Sequence, residues 1–237
     1  MKTQKRLLGI DIFRGWAILL MIAFHLSYDL QLFHIIDLQI QSNTFFKWFR
    51  FLIVTMFLLT VGMSLKLAHQ DKINWSKLKK RAIFLGLASL IVTISSYFIF
   101  PHTWIYFGIL HFILVASFVV LPLRNHPYIA LTVAVTTFIA FQLNILNMKW
   151  LFNMVAVPLH LPPAISVDIV RFFPWVSFVL IGMAMVTLDW HKKVFDNHFF
   201  KRENRINSFF TLMGKHALVI YLVHQPLLFG FFLLIQG

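Results

Sequence analysis

Cysteine is absent from all 237 residues, which excludes disulfides, thiolate nucleophiles and cysteine-ligated zinc or iron–sulfur clusters. Acidic side chains are scarce, eight Asp and Glu against 21 Lys and Arg, and charged residues make up only 12% of the chain. A soluble domain of this size carries about twice that charge. No stretch is polar enough to form a separate soluble domain, and no internal repeat or low-complexity segment interrupts the chain. What remains is 59% hydrophobic, with a mean hydropathy of +0.80. Residues 1–237 therefore read as one all-α integral membrane domain, a polytopic transmembrane helix bundle. The first apolar segment is too long for a signal peptide and lacks a small-residue cleavage site, so it is expected to remain as a helix.

The net charge of +13 raises the question of nucleic acid. The distribution of the cations answers it, because they alternate as membrane topology signals do, and no nucleic-acid partner is expected. About seven spans are predicted, at 9–30, 45–67, 81–100, 103–123, 127–147, 168–188 and 208–235. Fourteen Lys and Arg fall on one side, in the N-terminal tail and the second, fourth and sixth connections. Four (Lys47, Arg50, Lys149 and Arg171) fall on the other. The positive-inside rule then places the N-terminus in the cytoplasm and the C-terminus outside. The basic loops suit membrane lipid headgroups as partners. The apolar connection 148–167 reads as an interfacial or re-entrant piece, and 189–207 as a charged, solvated loop. The 28 Phe side chains provide lipid-facing and packing surface, on which a second copy can also pair as a homodimer.

The first span, GIDIFRGWAILLMIAFHLSYDL, carries Asp11, Arg14, His25 and Asp29. At 100° per residue Asp11 and Asp29 point the same way, with His25 about 40° and Arg14 about 60° away. Ionisable groups cost at least about 2.5–3.5 kcal/mol each near the bilayer centre, so such a stripe marks a pathway or a site. Asp29, at i+4, can orient the His25 ring and raise its basicity, which suits a general base.

Of eleven histidines, His25, His111 and His224 lie deep within predicted spans. With the orientation above they sit about 6, 12 and 15 Å below the outer surface, at comparable depth. In the seventh span Tyr221, His224 and Gln225 share a face, and Pro226 cannot bond the Leu222 carbonyl, which predicts a kink. Lys215 stands near the inner end of that span. Asp168 and Arg171 open the sixth span at i, i+3 and share a face with Trp175; Asp11 and Arg14 make a similar pair at the inner end of the first. Each pair can be a structural salt bridge or a ligand contact, and Arg14 is well shaped for phosphate. There is no Walker loop, GxGxxG, GxSxG or HExxH, and the histidines have no metal-ligand spacing.

Four blocks, IDIFRGWAILLMIAFH with HLSYDL after it, FGILHF at 107–112, FFPW at 172–175 and GKHALVIYLVHQP at 214–226, together resemble bacterial members of the heparan-alpha-glucosaminide N-acetyltransferase family, multi-span proteins of the transmembrane acyltransferase group. The resemblance implies transfer of an acetyl group from cytosolic acetyl-CoA to an amino sugar across the membrane, here the bacterial inner membrane. It maps a DxxRG element onto Asp11, Arg14 and Gly15, and a C-terminal histidine onto His224. For the catalytic histidine it leaves His25 and His34 both open.

The chemistry suits the stripe. Acyl transfer from a thioester needs a base near neutral pKa and donors for the developing oxyanion. On this reading His25, oriented by Asp29, is base or transient acyl carrier, with His224 and His111 as polar neighbours. Tyr221, Gln225, Arg171, Trp175 and His34 contact a small-molecule or glycan acceptor. Arg14, with Asp11 and Lys215, holds the phosphates of acetyl-CoA. Arg14 and His25 are about 16 Å apart along the helix axis, within reach of one pantetheine arm. A proton-coupled transporter is the rival reading, because intramembrane His, Asp and Arg also build proton relays.

Overall fold

Long apolar runs broken by Asn, Pro and short basic stretches fold into helices that end where those breaks fall. The computed structural model describes residues 7–70, 72–147, 149–156, 158, 161–162, 169–202 and 204–236. All regular structure among them is helical: α1 (Leu8–Leu32), α2 (Thr44–Ala68), α3 (Trp75–Ile99), α4 (Ile109–Val119), a 3-10 turn at Leu121–Leu123, α5 (Pro127–Gln142), α6 (Lys149–Ala156), α7 (Phe172–Thr187), α8 (Trp190–Phe195), α9 (His198–Lys201), α10 (Arg205–Lys215) and α11 (Ala217–Gln236).

Four of these, α1, α2, α3 and α11, are long and apolar enough to cross a membrane. Three more, α4, α5 and α7, are apolar but shorter. At 16 residues each, α5 and α7 rise about 24 Å, less than a hydrocarbon core of about 30 Å. Several predicted boundaries move for visible reasons. Asn74 caps α3 by accepting from the Lys77 amide at 3.0 Å, so that helix starts six residues before the predicted 81. The predicted start at 103 becomes α4 at Ile109, because 103–108 is held in a non-helical path: the Ile105 amide donates to Ser96 Oγ (2.9 Å) and its carbonyl accepts from the Thr93 hydroxyl (2.9 Å). The predicted seventh span is two helices, broken at His216. α11 runs without interruption through Pro226.

The chain divides into two compact units, Met1–Thr60 with His191–Gly237 and Val61–Trp190. In the first, α1 and α10 approach unusually closely. A Cβ on Gly15 would lie 2.1 Å from the Phe210 carbonyl oxygen, and one on Gly214 would lie 1.9 Å from that of Asp11. Trp16 stacks on Phe210 at 3.9 Å, over a core of Ile12, Ile18, Met21, Ile53 and Met213. Most of 189–207 is exposed, as expected of a charged, solvated connection, but it is helical where a loop was expected. It forms α8 and α9, and Phe195 is buried against Phe13 (5.7 Å) and the bare backbone of Gly9. Asn207 ties the turn down by donating to the carbonyls of Phe199 (2.6 Å) and Arg202 (2.8 Å).

In the second unit α5 packs along α7, where Phe138 meets Phe178 edge-on at 5.9 Å, and the buried residues of α5 are Ala130, Ala134 and Thr137. Gly62 lets the end of α2 reach the Val179 carbonyl, 2.0 Å from where a Cβ would stand. The helical part of 148–167 is α6; Asp168 and much of that connection lie outside the described residues, and with them the predicted re-entrant path and the Asp168–Arg171 pair.

Candidate active site

The polar stripe of α1 meets the polar face of α11 in the first unit. Asp29 is completely buried, and Gln225 Nε2 donates to its Oδ1 at 2.9 Å. One turn back on α1, the half-buried His25 ring stands edge-on to His224, with centroids 4.8 Å apart and planes at 64°. Phe24 borders His25 at 5.9 Å, and Tyr221 borders His224 at 5.7 Å. Two helices far apart in sequence thus bring His25, Asp29, Tyr221, His224 and Gln225 together, five of the residues the sequence singles out.

The hydrogen bonds assign the protons. His224 Nδ1 lies 2.7 Å from the Tyr221 carbonyl oxygen. A carbonyl only accepts, so Nδ1 carries the hydrogen and Nε2 of the neutral ring keeps its lone pair. That Nε2 is buried without a partner among the described residues, and so are Asp29 Oδ2 and Gln225 Oε1. Buried polar atoms are nearly always bonded, so three unmet atoms around one helix contact call for a ligand or water that donates. The arrangement corrects one expectation. Asp29 pairs with Gln225, and no bond from it to His25 exists among the described residues. The fixed tautomer with an open Nε2, which the sequence leads one to seek at His25, belongs to His224.

Asp11 and Arg14 form the ion pair that their spacing allows. Arg14 Nη1 lies 3.1 Å from Asp11 Oδ1 and donates also to the Gly214 carbonyl at 3.1 Å. The DxxRG element therefore fastens α1 to the end of α10, at the closest approach of the two helices. The next residue, Lys215, is exposed in the last turn of α10. Its charge suits a phosphate, whereas Arg14 is already engaged by protein.

The remaining sequence candidates have other occupations. His34 is exposed and takes φ 56° in the left-handed region, where it stops α1. Its amide donates to the Gln31 carbonyl (3.0 Å) and the Ile35 amide to that of Leu30 (2.9 Å), the double bond of a Schellman turn. His111 lies in the second unit, with both ring nitrogens in use. The Gly108 amide donates to Nδ1 (3.3 Å), so Nε2–H donates to Thr93 Oγ1 (3.1 Å). His111 thereby caps α4 and joins it to α3. Arg171 is exposed just before α7, and Trp175 packs on Phe178 at 5.7 Å; both belong to the second unit as well. Sequence reasoning missed Arg50, which serves there only as a topology marker. It stands near enough to His25 for their charges to interact. Its position at the outer end of the second predicted span, level with the end of the first, was the available signal.

Comparison with protein families gives a match over residues 6–226 to the model described as heparan-alpha-glucosaminide N-acetyltransferase, catalytic. Comparison with curated proteins and with solved structures gives no match.

Proposed function

The chain belongs to the heparan-alpha-glucosaminide N-acetyltransferase family, and on that premise we propose that it is a membrane-embedded acetyltransferase. It moves an acetyl group from acetyl-CoA on the cytoplasmic side to an amine or hydroxyl of a sugar acceptor on the outer side. The observation that carries this reading is the set of unmet acceptor atoms at the α1–α11 contact: His224 Nε2, Asp29 Oδ2 and Gln225 Oε1. An amine or a hydroxyl-bearing sugar brings the donors they lack.

When bound, acetyl-CoA supplies the activated acyl carbon. His224 Nε2 takes the proton that the acceptor loses as its nitrogen or oxygen bonds to that carbon. The imidazole returns the proton to the sulfur as the thioester bond breaks, leaving acetylated acceptor and free CoA thiol. The Tyr221 carbonyl holds the His224 tautomer, Asp29 and Gln225 orient the acceptor's remaining donors, and His25 walls the ring. Lys215 meets CoA phosphate at the other end of α1's stripe. Seven spans with the N-terminus cytoplasmic and the C-terminus outside complete the proposal, with α4, α5 and α7 as spans shortened by the loops that flank them. The bacterial inner membrane is the setting this topology suits.

The test is CoA release by the purified protein with candidate amino sugars, alongside unfolding midpoints with and without acetyl-CoA. Release that depends on the amino sugar, and a midpoint raised by acetyl-CoA, support the reading. A protein that neither binds acetyl-CoA nor releases CoA overturns it.

A further inference from the structure

A second feature, unused by the proposed chemistry, lies at the start of α3. Trp75, Leu78, Lys79, Ala82 and Ile83 recur at helical spacing and, with Phe118 of α4, wall a groove of about 320 Å³. Five of these walls are apolar side chains and the sixth is Lys79. Trp75 and Ile83 are 60% and 62% exposed, so the groove opens outward. Arg81 Nε donates to Ser117 Oγ at 3.3 Å, beside Phe118, and holds α3 to α4 behind it.

Among the described residues that lead into and through the start of α3, the charge is of one sign. Residues 72–81 hold Lys72, Lys77, Lys79, Lys80 and Arg81, with no Asp or Glu. Lys79 and Lys80 are both exposed, and the Lys80 ammonium stands 5.9 Å from the centre of the Phe84 ring. Apolar walls have no use for a free phosphate, and cations have none for an uncharged lipid. An amphiphile with an anionic head satisfies both. Trp75 at the groove's mouth is the residue type that sits at headgroup level, and long Lys side chains reach phosphate from the same depth.

We propose that the groove between α3 and α4 seats one acyl chain of an anionic phospholipid whose phosphate is met by Lys79 and Lys80. The chain lies along Leu78, Ala82 and Phe118, and the two ammonium groups hold the head. The proposal is independent of the acetyltransferase reading.

The experiment uses the full chain, delipidated in an uncharged detergent. Phosphatidylglycerol and phosphatidylcholine with identical chains are added, and retained lipid is read by native mass spectrometry. Phosphatidylglycerol is expected to be retained about thirtyfold better, at about 1 kcal/mol for each of the two lysines. The Lys79→Gln/Lys80→Gln variant, altered at two exposed positions, is expected to bring it down to the phosphatidylcholine level. Ala82→Phe fills the groove and is expected to lower retention of both lipids. Equal retention of the two lipids by the unaltered protein overturns the proposal, as does unchanged phosphatidylglycerol retention in the lysine variant. So does competition by glycerophosphate or CoA alone at the lipid's own concentration, which would assign the cations to a free phosphate. If Ala82→Phe fails to fold, the lysine variant decides.

Discussion

Gln225 and Asp29, 196 positions apart in the chain, share a 2.9 Å hydrogen bond inside the protein. Asp29 has no exposed surface, so the amide of Gln225 is the donor that its buried carboxyl has among the described residues. Gln225→Leu removes that donor and is expected to destabilise the protein by about 1–3 kcal/mol. Asp29→Asn keeps a polar side chain that can face Gln225 and is expected to fold with a smaller loss. Chemical unfolding in detergent measures both. A Gln225→Leu variant as stable as the parent would mean that the pair holds nothing.

The tautomer of His224 separates the two histidines. His224→Ala is expected to cut CoA release by about 10²–10⁴-fold, the range for a lost general base. His25→Ala removes a packed neighbour and is expected to cost less. His34→Ala, at an exposed helix stop, is expected to leave turnover per folded molecule near the parent's. Should His25→Ala prove the more damaging of the first two, the base belongs to α1.

Gly15 and Gly214 have carbonyl oxygens where their Cβ atoms would stand. A backbone carbonyl cannot swing aside as a side chain can. Gly15→Ala or Gly214→Ala is therefore expected to force α1 and α10 apart, at a cost of about 1–3 kcal/mol or more, and to break the Arg14 bridge. The unfolding midpoint should fall in both. Gly86→Ala is the control, since nothing lies within 4 Å of its added methyl.

His111 with Thr93 is a fold element in this structure, and its loss should show in stability. Thr93→Val leaves one ring donor without its acceptor and is expected to cost about 1–3 kcal/mol. Turnover per folded molecule should stay close to the parent's. A fall in turnover with unchanged stability would give His111 a chemical role.

His69, just past α2, offers a pH test. It is buried, and its Nδ1 accepts from the Asn74 amide at 3.1 Å. Burial first, then the charges of Arg81, Lys77 and Arg124, hold its pKa below the usual histidine value. A histidine lowered in the folded state contributes stability above its unfolded pKa of about 6.5 and loses it as pH falls through the folded value. The protection of the Asn74 amide against hydrogen exchange, taken relative to the unfolded chain's own rate at each pH, should fall on acidification below about pH 6.5. It should not do so in His69→Gln, which cannot gain a proton.

Helix periodicity, hydropathy and residue spacing were enough to predict an all-helical membrane chain and the common face of Tyr221, His224 and Gln225, and to put Asp11 and Arg14 within reach of each other while leaving a salt bridge and a ligand contact both open. These are local properties, fixed within a few residues along one helix. Which helix the stripe of α1 would meet was not legible, because the meeting depends on groups distant in sequence. Gly15 and Gly214 admit a carbonyl only once α10 lies against α1, and α10 is separate from α11 only because the chain breaks at His216. The same limit explains the exchange of roles. The i, i+4 spacing of His25 and Asp29 is a sequence fact, but hydrogen bonds form with whichever donor lies closest in space. Tertiary structure gave Asp29 to Gln225, held His224 by its own helix's Tyr221 carbonyl, and spent His111 and His34 on ending and joining helices.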